Sequence, residues 1–430
     1  MILKTSFTNL PLNNNKMRSE ILNNLDNPNQ LEKLYRDNKV SFKKEFNQIY
    51  PGHQENRSLN FWHERLNFEN EKQAIGSKNE IIIVIAFALI AGLIAHIPNF
   101  TSIEQEYFFS RNISFIVFPV LSAYFIWKQK LAFKQWLFPL LATLIAAIYI
   151  NLLPNTTSSS TITLSFIHMP IFLWAIFGYS FLGEHVNNNQ SRISFLRYNG
   201  DLVVMSGILL LSTVLFSAIT INLFGLIGIN IEIFYFQNIM VWGLAAIPIV
   251  ATYLIQTNAQ LINKVSPIIA KIFTPLVCVN LFIYLVAMIY TKKYPYQDRN
   301  LLLLFNVLLM GVMALILFSV AEAGKNAKSK FNLIILFALS VLTIIVNSIA
   351  LAAISFRLIE FGISPNRIAV LGGNLLIFIN LVLVCYKLFL ASFKNAGIED
   401  IERSIAGYLP VYAIWTGLVA FLIPFLFQFK

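Results

Sequence analysis

Long apolar runs separated by short polar breaks dominate the chain from about residue 80 onward. A helical span needs about 20 largely apolar residues to cross a hydrocarbon core of about 30 Å, and on that measure the pattern predicts about eleven spans. They lie near 80–98, 112–127, 136–154, 163–182, 201–226, 231–255, 273–291, 300–321, 331–358, 366–391 and 408–428. The second is short and the fifth and sixth are nearly continuous, so the count can shift by about one either way. None of the runs shows the polar/apolar alternation of a membrane barrel, and backbone groups in lipid must be satisfied internally. The expectation is an all-α polytopic transmembrane helical bundle over residues 80–430.

Residues 1–79 follow a different pattern. Apolar positions recur at helical spacing in three short stripes: Leu31, Leu34 and Tyr35, then Phe42, Phe46 and Ile49, then Leu59, Trp62 and Leu66. Asn27-Pro28 and Pro51-Gly52 mark the breaks between them. A helix this short is marginal in water unless it packs. The segment reads either as a small helical cap, resting on itself, on loops of the bundle or on a protein partner, or as a solvated and partly ordered tail.

Composition strengthens the membrane reading. The chain is 57% hydrophobic and 12% charged with a mean hydropathy of +0.66, against about 25% charged residues in soluble domains. The net charge of +11 would raise the question of nucleic acid in a soluble protein, but here the cations sit largely in short loops. In residues 1–79, Glu20, Glu32, Asp37 and Glu45 interleave with the bases and leave no basic stripe, so nucleic acid is not an expected partner. Membrane lipids are.

Loop cations also set an orientation. With the N-terminus inside, twelve Lys and Arg fall in the inner loops, among them Lys128, Arg192, Arg197 and Arg403. Seven fall outside: Arg111, Lys292, Lys293, Arg299, Arg357, Arg367 and Lys430. The balance predicts N-in and C-out, with residues 1–79 cytoplasmic. Met1–Leu10 has no apolar stretch of the secretory type. Cys278 and Cys385 lie in apolar runs without a CxxC or a nearby His and read as small buried side chains, and no motif asks for a metal or another cofactor.

Ionisable groups at membrane depth are candidate functional sites. His96, just before Pro98, reads as a satisfied interfacial histidine. His168 is more central, where it either bonds a neighbouring carbonyl or lines a polar path with Asn280, Asn347 and Asn374. Interhelical hydrogen bonding, at about 1 kcal/mol each, is the plainer reading of the asparagines.

The most informative stretch is Ser355 to Arg367. Gly362 suits the position after a helix, Ser364 an N-cap and Pro365 a first helical residue, so two spans meet here in a tight outer hairpin. Arg357 and Glu360 are spaced to pair on one helix face. Arg367 falls in the first turn of the next helix, where the macrodipole disfavours a cation, so it wants an anion nearby. Glu360 can supply that anion as a structural clamp. Alternatively Arg357, Glu360 and Arg367 form an anion or headgroup site, with Arg111 adding positive potential if the loops converge.

The chain resembles an uncharacterised family of polytopic bacterial membrane proteins, the domain of unknown function four-one-five-three. The resemblance rests on Arg111-Asn112-Ile113-Ser114, Arg197-Tyr198-Asn199-Gly200-Asp201, Phe273-Thr274-Pro275-Leu276 and Glu360-Phe361-Gly362-Ile363-Ser364-Pro365-Asn366-Arg367. It implies a bacterial inner-membrane location and carries no reaction with it.

Three functions follow as expectations. Transport or binding of a small anionic or lipid-headgroup ligand ranks first, on the outer cations and the intramembrane asparagines. A non-catalytic assembly or sensor subunit using its N-terminal cap is second. A lipid-linked transferase is third, because its base or paired carboxylates are missing: Asp201, Glu104 and Glu106 have no matching His.

Overall fold

The structure, a computed structural model, describes residues 12–25, 27–52, 55–71, 78–155, 159–226, 230–257, 274–283, 285–286, 288–290, 299–323, 330–394 and 396–429. The chain separates into two units, Met1–Ser77 and Lys78–Lys430. No strand occurs among the described residues, and ten helices are long and apolar enough to cross a membrane. The fold is an all-α polytopic bundle preceded by a small helical unit.

In the first unit, α1 (Leu12–Leu22), α2 (Pro28–Asp37), α3 (Lys39–Ile49) and α4 (Arg57–Glu71) pack together. Asn27 caps α2 by accepting from the Gln30 amide, Pro28 supplies a preset first residue, and Asn38 caps α3 by accepting from Ser41. The three sequence stripes converge on one core. Leu31, Tyr35, Phe42, Phe46, Ile49, Leu59, Trp62 and Leu66 are each 5% exposed or less, with Leu34 at the margin. These residues form a packed core, so the described part of the segment is not a solvated tail.

The second unit contains α5 (Lys78–Phe100), α6 (Gln105–Gln129), α7 (Phe133–Leu152), α8 (Ser160–Leu182), α9 (Asn189–Leu226) and α10 (Glu232–Thr257). It continues with α11 (Thr274–Tyr290), α12 (Arg299–Ala323), α13 (Lys330–Phe361), α14 (Pro365–Phe393) and α15 (Ile398–Leu426). Among the described residues, ten of the eleven expected spans are helices long and apolar enough to cross a membrane, and the eleventh, α11, is a shorter apolar helix. Two helices begin well before their apolar runs. The Asn188 side chain accepts from the Gln190 and Ser191 amides and starts α9, whose first turns bury Ile193, Phe195 and Tyr198. Glu399 and Asp400 occupy the first turn of α15, where the helix dipole favours anions, and Ile401 and Ile405 are buried behind them. These amphipathic extensions pack against the bundle, so a hydropathy count for lipid misses them.

Three aromatic rings seat on glycines of a neighbouring helix: Trp242 of α10 on Gly92 of α5, Phe318 of α12 on Gly200 of α9, and Trp415 of α15 on Gly372 of α14. Removing a side chain lets the backbone and the ring approach closely, which is how helices gain dispersion contact in a medium as apolar as their own side chains. Outward positions carry large apolar groups, among them Val203 and Leu211, each 73% exposed, as a lipid-facing surface requires.

Proline breaks the ladder of α15, and other helices repair it. Pro424 has no N–H for the Ala420 carbonyl, and a π-helical turn runs through Leu418–Leu422. That carbonyl accepts instead from Tyr149 Oη of α7 at 3.1 Å and Ser165 Oγ of α8 at 2.7 Å.

Candidate functional site

The hairpin between α13 and α14 forms with the expected residues. Gly362 has φ +75°, Ser364 Oγ accepts from the Arg367 amide, and Pro365 follows the cap. The anion that Arg367 requires is not Glu360. Arg367 Nη1 donates to the carbonyls of Phe361, at 2.8 Å, and Gly362, at 2.6 Å. These are orphan carbonyls at the end of α13, the negative pole of that helix. The first-turn cation of one helix therefore satisfies the last carbonyls of the helix before it. The Arg357 and Arg367 guanidiniums each lie 5.5 Å from the centroid of the Phe361 ring. Glu360 is exposed and makes no ion pair among the described residues.

Arg111 is placed differently. It sits in the second turn of α6, 3% exposed, with its guanidinium 3.9 Å from the Tyr107 ring centroid and 4.8 Å from that of Phe166 on α8. Its Nη2 donates to the carbonyls of Leu153 and Pro154, both at 3.2 Å, in the chain leaving α7. The buried Nε has no partner, and no carboxylate pairs with Arg111 among the described residues. Beside it, Asn112 and Asn151 exchange reciprocal amide bonds of 2.9 and 2.8 Å that tie α6 to α7. The hairpin reaches the same helix, α8, through Asn366 Nδ2 and Ser160 Oγ at 3.2 Å. No hydrogen bond, ion pair or ring contact joins Arg111 to Arg357 or Arg367 among the described residues. Arg299 opens α12, and Lys292 and Lys293 lie outside the described residues.

The polar positions inside the spans divide. Asn347 and Asn374 meet: Asn347 Nδ2 donates to the Asn374 carbonyl at 3.1 Å, and Asn374 Nδ2 to Asn306 Oδ1 of α12 at 2.8 Å. Asn280 is on an exposed face of α11, apart from them. His168 Nδ1 bonds the Leu164 carbonyl of its own helix at 2.9 Å, the local bond expected of an isolated histidine. His96 is buried against Trp242, its Nε2 3.2 Å from Asn99 Nδ2 and 3.5 Å from Asn238 Oδ1, while Nδ1 has no partner. Interfacial satisfaction is thus incomplete for His96.

The opposite end of the bundle holds a charge group that sequence reasoning passed over. Arg197 of α9 pairs with the buried Glu322 of α12 at 3.3 Å and donates to the Ala321 carbonyl. Glu402 of α15, also buried, lies in the field of the same guanidinium. Glu322 and Glu402 stand far from Arg197 in sequence, and only the packing of three helices brings them together. The signal available was their position at helix ends, where acids also occur for capping. Among the described residues no three His, Cys, Asp or Glu side chains gather closely enough to hold a metal ion.

Comparison with family models, with curated proteins and with solved structures finds no match for this chain.

Proposed function

We propose that this chain is a multi-pass protein of the bacterial inner membrane, N-terminus inside, that binds a small anionic group beside Arg111 at the outer end of its bundle. The anion is a free phosphate or carboxylate, or the headgroup of an anionic lipid. Arg111 carries the reading: its guanidinium is 3% exposed, and among the described residues it meets the Leu153 and Pro154 carbonyls and the Tyr107 and Phe166 rings while its Nε has no hydrogen-bond partner. Charged groups buried in membrane proteins need counter-charges or mark ligand sites, and a guanidinium fork matches the oxygens of phosphate or carboxylate. Arg357 and Arg367 are assigned to the hairpin and lend potential at most.

The test uses the full chain in phosphatidylcholine nanodiscs. Inorganic phosphate or added phosphatidylglycerol should raise the melting temperature of the wild type and of Arg111→Lys, but not of Arg111→Gln, since a ligand stabilises only the state that binds it. Absence of any anion response, with Arg111→Gln simply less stable, would reduce Arg111 to a tie holding the end of α7.

A second reading, an assembly or sensor subunit that holds a protein partner through residues 1–77, has one observation in its favour. A groove of about 400 Å³ on that unit is lined by Pro28, Glu32, Ser58, Phe61, Trp62 and Arg65, and Phe61 is 66% exposed beside it.

A further inference from the structure

Asn306, Asn347 and Asn374 come from three helices, α12, α13 and α14, and meet inside the second unit. Asn347 is 0% and Asn374 4% exposed. The two bonds that join them leave a remainder. Asn306 Nδ2, a donor, and Asn347 Oδ1, an acceptor, are both buried and both without a partner among the described residues.

Turning the amides does not remove the deficit. If Asn347 is reversed, its oxygen faces the Asn374 carbonyl and that bond is lost. If Asn306 and Asn374 are reversed together, their mutual bond survives but an oxygen of Asn306 is left over instead of its nitrogen. Buried polar atoms are bonded in the great majority of structures, and in a bundle facing lipid no bulk water is at hand to complete them. Each leftover group belongs to a side chain hydrogen-bonded to Asn374, Asn347 to its carbonyl and Asn306 to its amide, and one donates while the other accepts. Among the described residues, the hydrogen bonds of the three asparagine side chains to one another involve neutral groups only.

We propose that these three asparagines form an internal binding site for a neutral hydroxyl, which accepts from Asn306 Nδ2 and donates to Asn347 Oδ1. The hydroxyl comes from water or from a small uncharged polyol. An ionised carboxylate has no proton to give the acceptor Oδ1 of Asn347, which separates this site from the one proposed at Arg111.

Cysteine modification decides the matter in the full chain reconstituted in nanodiscs, with Cys278→Ala and Cys385→Ala as background. A thiolate, which a hydrated thiol supplies, attacks the sulfenyl sulfur of methyl methanethiosulfonate, forming the methyl disulfide and expelling methanesulfinate. Asn347→Cys and Asn306→Cys are compared with Ala350→Cys, a 0% exposed position one turn along α13 from Asn347. The expected result is modification of the asparagine variants at least about tenfold faster than Ala350→Cys, followed by intact mass. Slowing by glycerol assigns the hydroxyl to a polyol, and indifference to glycerol assigns it to water. Asparagine variants as inert as Ala350→Cys would overturn the site. Asn306→Cys, at the less buried edge, carries the experiment should Asn347→Cys fail to fold.

Discussion

Arg192 Nη1 on α9 donates to the carbonyl of Ala406 on α15 at 3.1 Å, and Ala406 stands four residues before Pro410. Proline cannot return the helical bond to that carbonyl. The arginine completes what the proline removed, and its Nε also holds the Val186 carbonyl at 2.8 Å. One side chain therefore joins the start of α9 to a break in α15.

Removing the guanidinium should strand the Ala406 carbonyl. Arg192→Leu is expected to lower stability by about 2–3 kcal/mol, the range for a lost charge-assisted bond to a buried group. Pro410→Ala restores an N–H to α15, so Arg192→Leu should cost less by about 1 kcal/mol or more in the Pro410→Ala background. Denaturation of the four proteins in detergent measures the coupling, and strict additivity would show that the Ala406 bond contributes nothing.

A Cβ at Gly372 would overlap the Trp415 ring at Cη2 and Cζ2. The indole is rigid, and its Nε1 edge lies over Gly373, so it has little room to retreat. Gly372→Ala should destabilise the bundle by about 1–3 kcal/mol through overpacking. Trp415→Phe, with a smaller ring, should recover part of the loss when combined with it. Gly311, with open space around it, is the control position at which Ala should cost no such strain.

Much of this architecture was legible in the sequence because its causes are local. Apolar run length located the ten helices long and apolar enough to span, helical spacing in residues 31–66 located the core of the first unit, and Gly362-Ile363-Ser364-Pro365 wrote out its own turn. Contacts between distant helices were not legible. Nothing near Arg197 in sequence points to Glu322 or Glu402, and nothing near Arg192 points to Pro410. The pairing expected of Arg357 with Glu360 failed for a physical reason: an exposed ion pair gains little, and the Phe361 ring lies beside Arg357. Of the asparagines proposed to line a path, Asn347 and Asn374 met because they face each other across the closely packed α13–α14 pair, whereas Asn280 sits on a face turned outward.

Acid should loosen the first unit through Glu32. Arg36 Nε at 2.9 Å and Arg65 Nη1 at 2.8 Å both donate to its carboxylate. The Arg36 bond chiefly, then Arg65, against a counteracting effect of burial, holds its pKa below the ordinary glutamate value. A depressed pKa contributes stability at pH above the unfolded value and loses it as pH falls through the folded one. Amide hydrogen exchange across residues 31–35 and 59–66 of the full chain should therefore show more opening at about pH 3 than at neutrality. Glu32→Gln should open to the same degree at both, once intrinsic exchange is corrected. An unchanged acid response in Glu32→Gln would place the sensitivity elsewhere.

The Arg367 contacts allow a test that separates two accounts of the hairpin. If Glu360 were the counter-ion, exchanging the charges in Glu360→Arg/Arg367→Glu would restore what Arg367→Glu loses. The observed partners are the Phe361 and Gly362 carbonyls, which no charge exchange can replace, because a carboxylate at position 367 would face the negative end of α13. Arg367→Leu should cost about 2 kcal/mol in stability, from two charge-assisted bonds partly screened at an exposed site. Arg367→Glu should cost more than Arg367→Leu, and the double exchange should rescue neither. Glu360→Ala, by contrast, should be close to neutral. Thermal unfolding of the four variants in detergent reads the order directly, and recovery in the charge-exchanged protein would return the clamp to Glu360.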